Sequence, residues 1–251
     1  MIQESIRRVC VSKDDHIAVA FSGGVDSSLM ATICKDAGYK TALLTVGFDN
    51  SHDVKFALKA AKEIGMECKI HIIDDESFTR VARMVIHAIP TGNISWIENC
   101  IAFYYVAMLA KNNDICTVLT ANGIDELFCG YDSYRRMEDQ SENAVLEAMD
   151  VKIKNELDMM HAISKFIENT SVKIIQPLLL KEFISYARNL PLDSKIRGSD
   201  DMLRKHAIRE LAIKIGVPEM LATKRKKALQ YGTSIHKNLL KSKSFSRLRA
   251  S

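Results

Sequence analysis

Short apolar runs of strand length alternate, over the first half of the chain, with segments whose apolar residues recur every three to four positions. The run His16–Phe21 (HIAVAF) reads as a first strand and Lys40–Val46 (KTALLTV) as a second. The second is apolar without alternation, the mark of a strand covered on both faces. A third strand is expected from about Glu67 to Ile73, and a fourth at Ile115–Thr120 (ICTVLT). Between them the spacing predicts an amphipathic helix over Ile2–Val11 and another over Leu29–Ala37, ending near Gly38. Phe56, Ala57, Ala60, Ala61 and Ile64 mark a third helix, with Ser51 or Asp53 at its start and Gly65 as its stop. A fourth follows Asp74 and ends before Pro90, and after a Thr91–Asn93 turn Ile94–Leu109 forms a helix buried on most sides. Strands alternating with helices imply right-handed parallel crossovers. Beyond Tyr134 helices are expected at Asn143–Asn169, Lys181–Asn189 and Asp201–Ile215, with Val172–Gln176 as a short fifth strand ended by Pro177. The fold class is therefore α/β, a parallel five-stranded sheet with helices on both faces and a helical C-terminal part.

At 251 residues and 47% hydrophobic, the chain can bury a substantial core. We expect one domain, with residues 1–140 as the α/β core and 141–251 as a mainly helical part that closes over the site. No apolar run approaches a membrane span, and MIQESIRRVC carries no secretory apolar stretch, so a cytoplasmic location is expected. The six cysteines are scattered, without CxxC or zinc spacing, and read as small buried hydrophobes in a reducing compartment. The net charge of +4 hides an asymmetry: residues 181–251 hold 17 Lys/Arg against 6 Asp/Glu. Such a tail suits a polyphosphate or a solvated face. Few aromatics interleave with it, which disfavours nucleic acid as a partner.

The chemistry concentrates in SGGVDSS, Ser22–Ser28, between the first strand and its helix. Adjacent Gly23 and Gly24 permit a tight turn that directs N–H groups inward at the positive end of a helix. Ser22, Ser27 and Ser28 add hydroxyl donors. An ordinary helix cap needs one such residue rather than this cluster. No Lys follows the glycines, so this is not a Walker A loop. Asp26 inside a phosphate cradle calls for a divalent cation, with Mg²⁺ the usual choice. A second acidic group stands after the fourth strand, in ANGIDELFCGYDSY (Ala121–Tyr134). Strands one and four are expected to flank the crevice where strand order reverses. Asp125 and Glu126 then face the same phosphates as Asp26.

SGGVDSS resembles the signature of the PP-loop ATP pyrophosphatases, which cleave ATP between its α and β phosphates. ANGIDELFCGY resembles the GEGxDELFGGY segment of their asparagine synthetase and β-lactam synthetase branch. Lys226 to Gly232, within KRKKALQYGT, resembles that branch's KxxxxxG element. The resemblance implies the adenine nucleotide α-hydrolase-like sheet, with ATP and Mg²⁺ as cofactors. It places Ser22, Gly23, Gly24, Asp26, Ser27, Ser28, Val46, Gly47, Thr120 and Ala121 at the nucleotide, and Asp26 and Asp125 at the metal. Lys226, or Lys227 if the register slips by one, is implied as the cation at the reacting phosphate, and Asp125 as catalytic.

The implied reaction is carboxylate adenylation followed by attack of ammonia or an amine, with aspartate the leading carboxylate. Three departures qualify it. Asn122 replaces the family Glu that handles the nitrogen nucleophile, with Glu126 or Glu98 as substitutes the sequence does not place. PLLL (Pro177–Leu180) lacks the Asp of the family's PFLD, and no nucleophilic Cys follows Met1. Ammonia is then expected from solution or from a separate glutaminase subunit, and homo-oligomerisation is compatible with the sequence. Three readings compete: a ligase for another carboxylate, a nucleotide-binding regulatory module without ligation, and a tRNA-modifying enzyme. The scattered cysteines and the DELF phrase weigh against the last.

Overall fold

The computed structural model describes residues 1–10, 12, 15–49, 51–89, 92–137, 141–224 and 229–241. In chain order the elements are α1 (Ile2–Val9), β1 (His16–Ala20), α2 (Val25–Asp36), β2 (Lys40–Phe48), α3 (His52–Ile64), β3 (Cys68–Ile73), α4 (Asp75–Ala88) and α5 (Ile94–Lys111). Then come β4 (Thr117–Leu119), α6 (Ile124–Leu127), α7 (Asp132–Arg135), α8 (Glu142–Phe166), β5 (Lys173–Ile175) and α9 (Lys181–Arg188). The described chain closes with α10 (His206–Lys214), α11 (Glu219–Ala222), α12 (Leu229–Gly232) and α13 (Ile235–Lys241).

The five strands form one sheet in the order β3-β2-β1-β4-β5, every adjacent pair parallel. Strand order runs outward in both directions from β1, so the reversal falls between β1 and β4, as expected. Both faces are covered because the strand residues alternate between two cores. Ile17 and Val19 pack with α1, α2 and α3 on one face, whereas Ala18, Leu44 and Val46 join α4 and α5 on the other. Helix α8 spans the sheet's edge: Val145, Met149 and Ile153 enter the first core, Met159, Met160 and Ile163 the second.

Differences from the sequence expectations lie at element ends. Helix α2 begins at Val25, so Asp26, Ser27 and Ser28 occupy its first turn. Strand β2 extends to Phe48, which puts Val46 and Gly47 inside the strand rather than after it. Helix α3 starts from Ser51, and α10 begins at His206, five residues later than the apolar spacing suggests. The delay has a local cause. Arg204 and Lys205 both take left-handed backbone (φ 51° and 56°), and the Asp201 carboxylate accepts the N–H groups of Leu203 and Arg204 at 3.1 and 2.9 Å. Val11, the expected end of α1, lies outside the described residues. Among the described residues no helix is long and apolar enough to cross a membrane.

Candidate active site

A cleft of about 280 Å³ opens at the carboxyl ends of β1, β2 and β4. Its floor begins at Phe21, whose carbonyl accepts the Thr45 hydroxyl at 2.6 Å, fixing the exit of β1 against β2. The turn that follows needs glycine at position 23. There φ is +75°, and a Cβ would stand 2.8 Å from the Phe56 ring and 2.9 Å from Ala60. Gly24 is the N-cap of α2 and offers no side-chain acceptor to the first turn. The loop serines bond one another through long contacts: Ser22 N–H to Ser27 Oγ at 3.3 Å, Gly24 N–H to Ser22 Oγ at 3.4 Å, and Ser27 Oγ to the Gly24 carbonyl at 3.2 Å. Bonds this long are weak, and an anion's oxygens can replace them at little cost.

Of the residues proposed from the sequence, Ser22, Gly24, Asp26, Ser27, Val46, Thr120, Ala121 and Asp125 line this one cleft. Three do not. Gly23 is turned against α3, and Gly47 faces Ser51 Oγ, 2.6 Å from where its Cβ would be. Ser28 is fully buried behind the loop, its hydroxyl without a hydrogen-bond partner among the described residues. Lys226 and Lys227 lie outside the described residues. Their neighbour Lys224 does line the cleft, its ammonium 2.7 Å from the centroid of Phe56. Beyond them, Gly232 packs onto Asp53: a Cβ there would meet the carboxylate oxygens at 2.1 Å. The Thr233 carbonyl accepts the Phe48 N–H at 3.1 Å, docking the C-terminal segment on the end of β2.

Asp26 and Asp125 converge, as the two motifs suggest, and the group between them is Lys205. Its Nζ stands 2.5 Å from Asp26 Oδ2 and 2.6 Å from Asp125 Oδ1, with the lysine side chain 1% exposed. Burial opposes the charge, but Asp125 and Asp26 outweigh it and raise the ammonium's pKa above its ordinary value. Gly130 makes the approach possible, since a Cβ would lie 2.0 Å from Asp125 Oδ1 and 2.3 Å from Lys205 Cε. Among the described residues no cluster of three or more His, Cys, Asp or Glu side chains forms a metal site. A two-carboxylate pair fits Mg²⁺, which takes few protein ligands and completes its shell with phosphate oxygens and water.

The acidic residues after β4 separate in role. Asp125 faces Asp26, whereas Glu126 turns back: its Oε2 accepts the Gly123 N–H at 3.1 Å and its Oε1 accepts the Tyr131 hydroxyl. Burial first, then the charges of Glu126 and Asp125, push the Tyr131 pKa far up, so it stays a neutral donor. Glu98, the other sequence substitute for the missing family Glu, is 2% exposed and accepts from His236 Nδ1 at 2.6 Å across α5 and α13. The Asn122 side chain itself pairs with Glu156 of α8, whose Oε1 accepts Asn122 Nδ2 at 2.5 Å within the same cleft. Glu156 had a legible signal: it interrupts the helical stripe of Ile153, Met160 and Ile163, all of them buried. Lys205 had none, sitting in a charged stretch where a solvated lysine is the ordinary reading.

Fold and cleft together define a doubly wound α/β protein whose glycine- and serine-rich loop and paired carboxylates meet at the switch in strand order. The family model for asparagine synthase matches residues 1–165 and 138–249, and the chain belongs to the asparagine synthase family. It is 26% identical to a putative glutamine-hydrolysing asparagine synthetase of Methanocaldococcus jannaschii over 90% of this chain and 47% of that protein. The corresponding figures are 27%, 90% and 41% for the glutamine-hydrolysing asparagine synthetase of Bos taurus. For asparagine synthetase B of Escherichia coli they are 25%, 92% and 44%. The chain thus spans less than half the length of these curated relatives. A solved structure from M. jannaschii, described as a predicted subunit of tRNA methyltransferase, is similar at a TM-score of 0.37 and 23% identity, over 69% of this chain and 75% of that one.

Proposed function

We propose that the protein is an ATP-dependent ligase that forms AMP and pyrophosphate, activating a carboxylate as its adenylate and passing the acyl group to ammonia or an amine. The observation that carries this is the meeting of the Ser22–Ser27 loop, Asp26 and Asp125 in one cleft at the strand-order switch. Family membership supports the same reaction class, and aspartate is the leading carboxylate. The N–H groups of the loop and the first turn of α2 receive phosphate oxygens, with the Ser22 and Ser27 hydroxyls exchanging their mutual bonds for them. The base lies against Leu44 and Val46 at the end of β2. Asp26 and Asp125 would hold Mg²⁺, which would lower the charge on the leaving pyrophosphate. One carboxylate oxygen of the substrate bonds to the α phosphorus as the bond to the β-phosphate oxygen breaks. Lys226 remains the proposed cation at that phosphate.

In the second half-reaction the nitrogen attacks the acyl carbon, and the C–O bond to AMP breaks. The nitrogen must lose a proton, and Asn122 cannot take it at neutral pH. Glu156 can. Its carboxylate is buried beside Asn122, which donates to its Oε1. This supply of the base from α8 favours, as a second reading, a ligase whose carboxylate differs from aspartate, because the end of the cleft that meets the acceptor is not the family's usual one.

The test is nucleotide product analysis with ATP, Mg²⁺, ammonium and a pool of amino acids, alongside Asp26→Ala. AMP and pyrophosphate that require aspartate and vanish in the variant support the first reading. AMP driven by another carboxylate supports the second. ADP with phosphate contradicts both, and ATP binding without turnover points to a regulatory module.

A further inference from the structure

Lys205 is fixed in the cleft both by its backbone turn and by the two carboxylates its ammonium meets. Two consecutive residues, Arg204 and Lys205, take left-handed backbone, a conformation that is costly for a residue with a side chain. Strain of this kind persists only where the surroundings fix it. Here Asp201 accepts the Leu203 and Arg204 N–H groups, and Arg209 donates to the carbonyls of Leu203 and Arg204. Arg204 donates to the Gly130 carbonyl at 3.2 Å, and the Lys205 N–H donates to the Lys195 carbonyl at 2.6 Å. The turn delivers one ammonium through the gap at Gly130 to a point between two carboxylates that lie 99 residues apart in sequence, at Asp26 and Asp125.

We propose that Lys205 is the resident cation of this carboxylate pair, occupying the place between Asp26 and Asp125 in the nucleotide-free protein and making divalent-metal binding conditional on the nucleotide's phosphates. The inference rests on the ligase reading, in which those two carboxylates hold Mg²⁺. Two bare carboxylates attract a divalent ion strongly, and the ammonium cancels half of that charge while repelling the ion directly. A metal arriving with polyphosphate brings its own anionic ligands. The phosphate oxygens also accept from the Lys205 ammonium, so the two cations share the carboxylates instead of competing for them. Lys205 is thus a positioning residue for the metal, and it ties α10 to the phosphate loop through Asp26.

The probe is Mn²⁺, titrated by its free-ion paramagnetic resonance signal into the full chain without nucleotide. Lys205→Met is expected to bind Mn²⁺ at least about tenfold more tightly than the wild type, and Asp26→Asn in the same background is expected to abolish the gain. A Lys205→Met protein that binds no more tightly overturns the proposal. A second measurement needs no variant. Wild-type protein is titrated with Mn²⁺ with and without α,β-methylene ATP, and retention at least about tenfold weaker without the nucleotide is expected. Equal retention overturns the proposal even if Lys205→Met does not fold. Calorimetry of the analogue with Mg²⁺ tests the ligase reading separately: failure to bind it defeats that reading, while the nucleotide-free Mn²⁺ comparison still decides the role of Lys205.

Discussion

The two ends of the cleft are made in different ways. The end proposed for phosphate is local: Ser22, Gly24, Asp26 and Ser27 lie within six residues, and Asp125 arrives from the neighbouring strand end. The end proposed for the acceptor is assembled from afar. Asn122 meets Glu156 from the middle of α8, and one group at the other end, Lys205, likewise comes from a distance, reaching the carboxylate pair from the turn before α10. A loop that binds phosphate through backbone N–H groups requires small residues in series, so its chemistry is written as a motif. Side chains that meet across a fold carry no shared spacing. The first kind of site constrains the sequence around it, and the second constrains only the packing of helices.

The comparison breaks if both ends serve one half-reaction. Asp26→Ala is expected to have the largest effect, lowering AMP and pyrophosphate formation by about 10³-fold or more, measured chromatographically. Glu156→Gln keeps the side chain's shape and removes its base. It is expected to lower amide formation by about 10²–10³-fold while ATP–pyrophosphate exchange stays within a few-fold of wild type. Equal losses in both assays would show that Glu156 acts in adenylation.

Smaller effects test how each end is held. Gly23→Ala forces a Cβ onto Phe56 and Ala60 at φ +75° and is expected to destabilise the fold by about 2–4 kcal/mol in urea unfolding. On the other side, burial works against the Asp201 charge, yet N–H bonds from Arg204 and Arg197 and the contact with His206 bring its carboxyl pKa down to about 2. A carboxyl lowered on folding stabilises above its unfolded value, near 4, and loses that contribution as pH falls towards 2. Asp201→Asn is therefore expected to flatten the acid limb of stability against pH by on the order of 2 kcal/mol between those values. Least costly to the protein is a thiol titration. Burial raises Cys34, Cys100 and Cys129 to about 12 and Cys10 to about 11, whereas Cys116 is exposed. Cys116 is expected to react at once with a disulfide reagent, the half-buried Cys68 more slowly, and the buried four only on unfolding.

Much of the fold was legible because its strands announce themselves. Lys40–Val46 is apolar on both faces, and Gly65 stops α3 in left-handed backbone. The loop and DELF motifs located Asp26 and Asp125 for the same reason. Less legible were features decided by tertiary contact. Gly47 reads as a ligand-facing glycine but is small because Ser51 packs against it, and Ser28 reads as a donor but faces the core. Glu126 reads as facing the phosphates with Asp26, but its carboxylate accepts the Gly123 N–H and the Tyr131 hydroxyl. Asp201 signals a helix start, yet its carboxylate holds a left-handed turn that delays α10 to His206.

The central claim is that a carboxylate is adenylated at the phosphate end and released by a nitrogen nucleophile at the other. Aspartate labelled with ¹⁸O in its side-chain carboxylate, turned over with ATP, Mg²⁺ and ammonium, tests it most directly by mass analysis of the nucleotide product. The account predicts AMP carrying one ¹⁸O atom, left behind when the C–O bond breaks. Unlabelled AMP, or ADP with labelled phosphate, would contradict it.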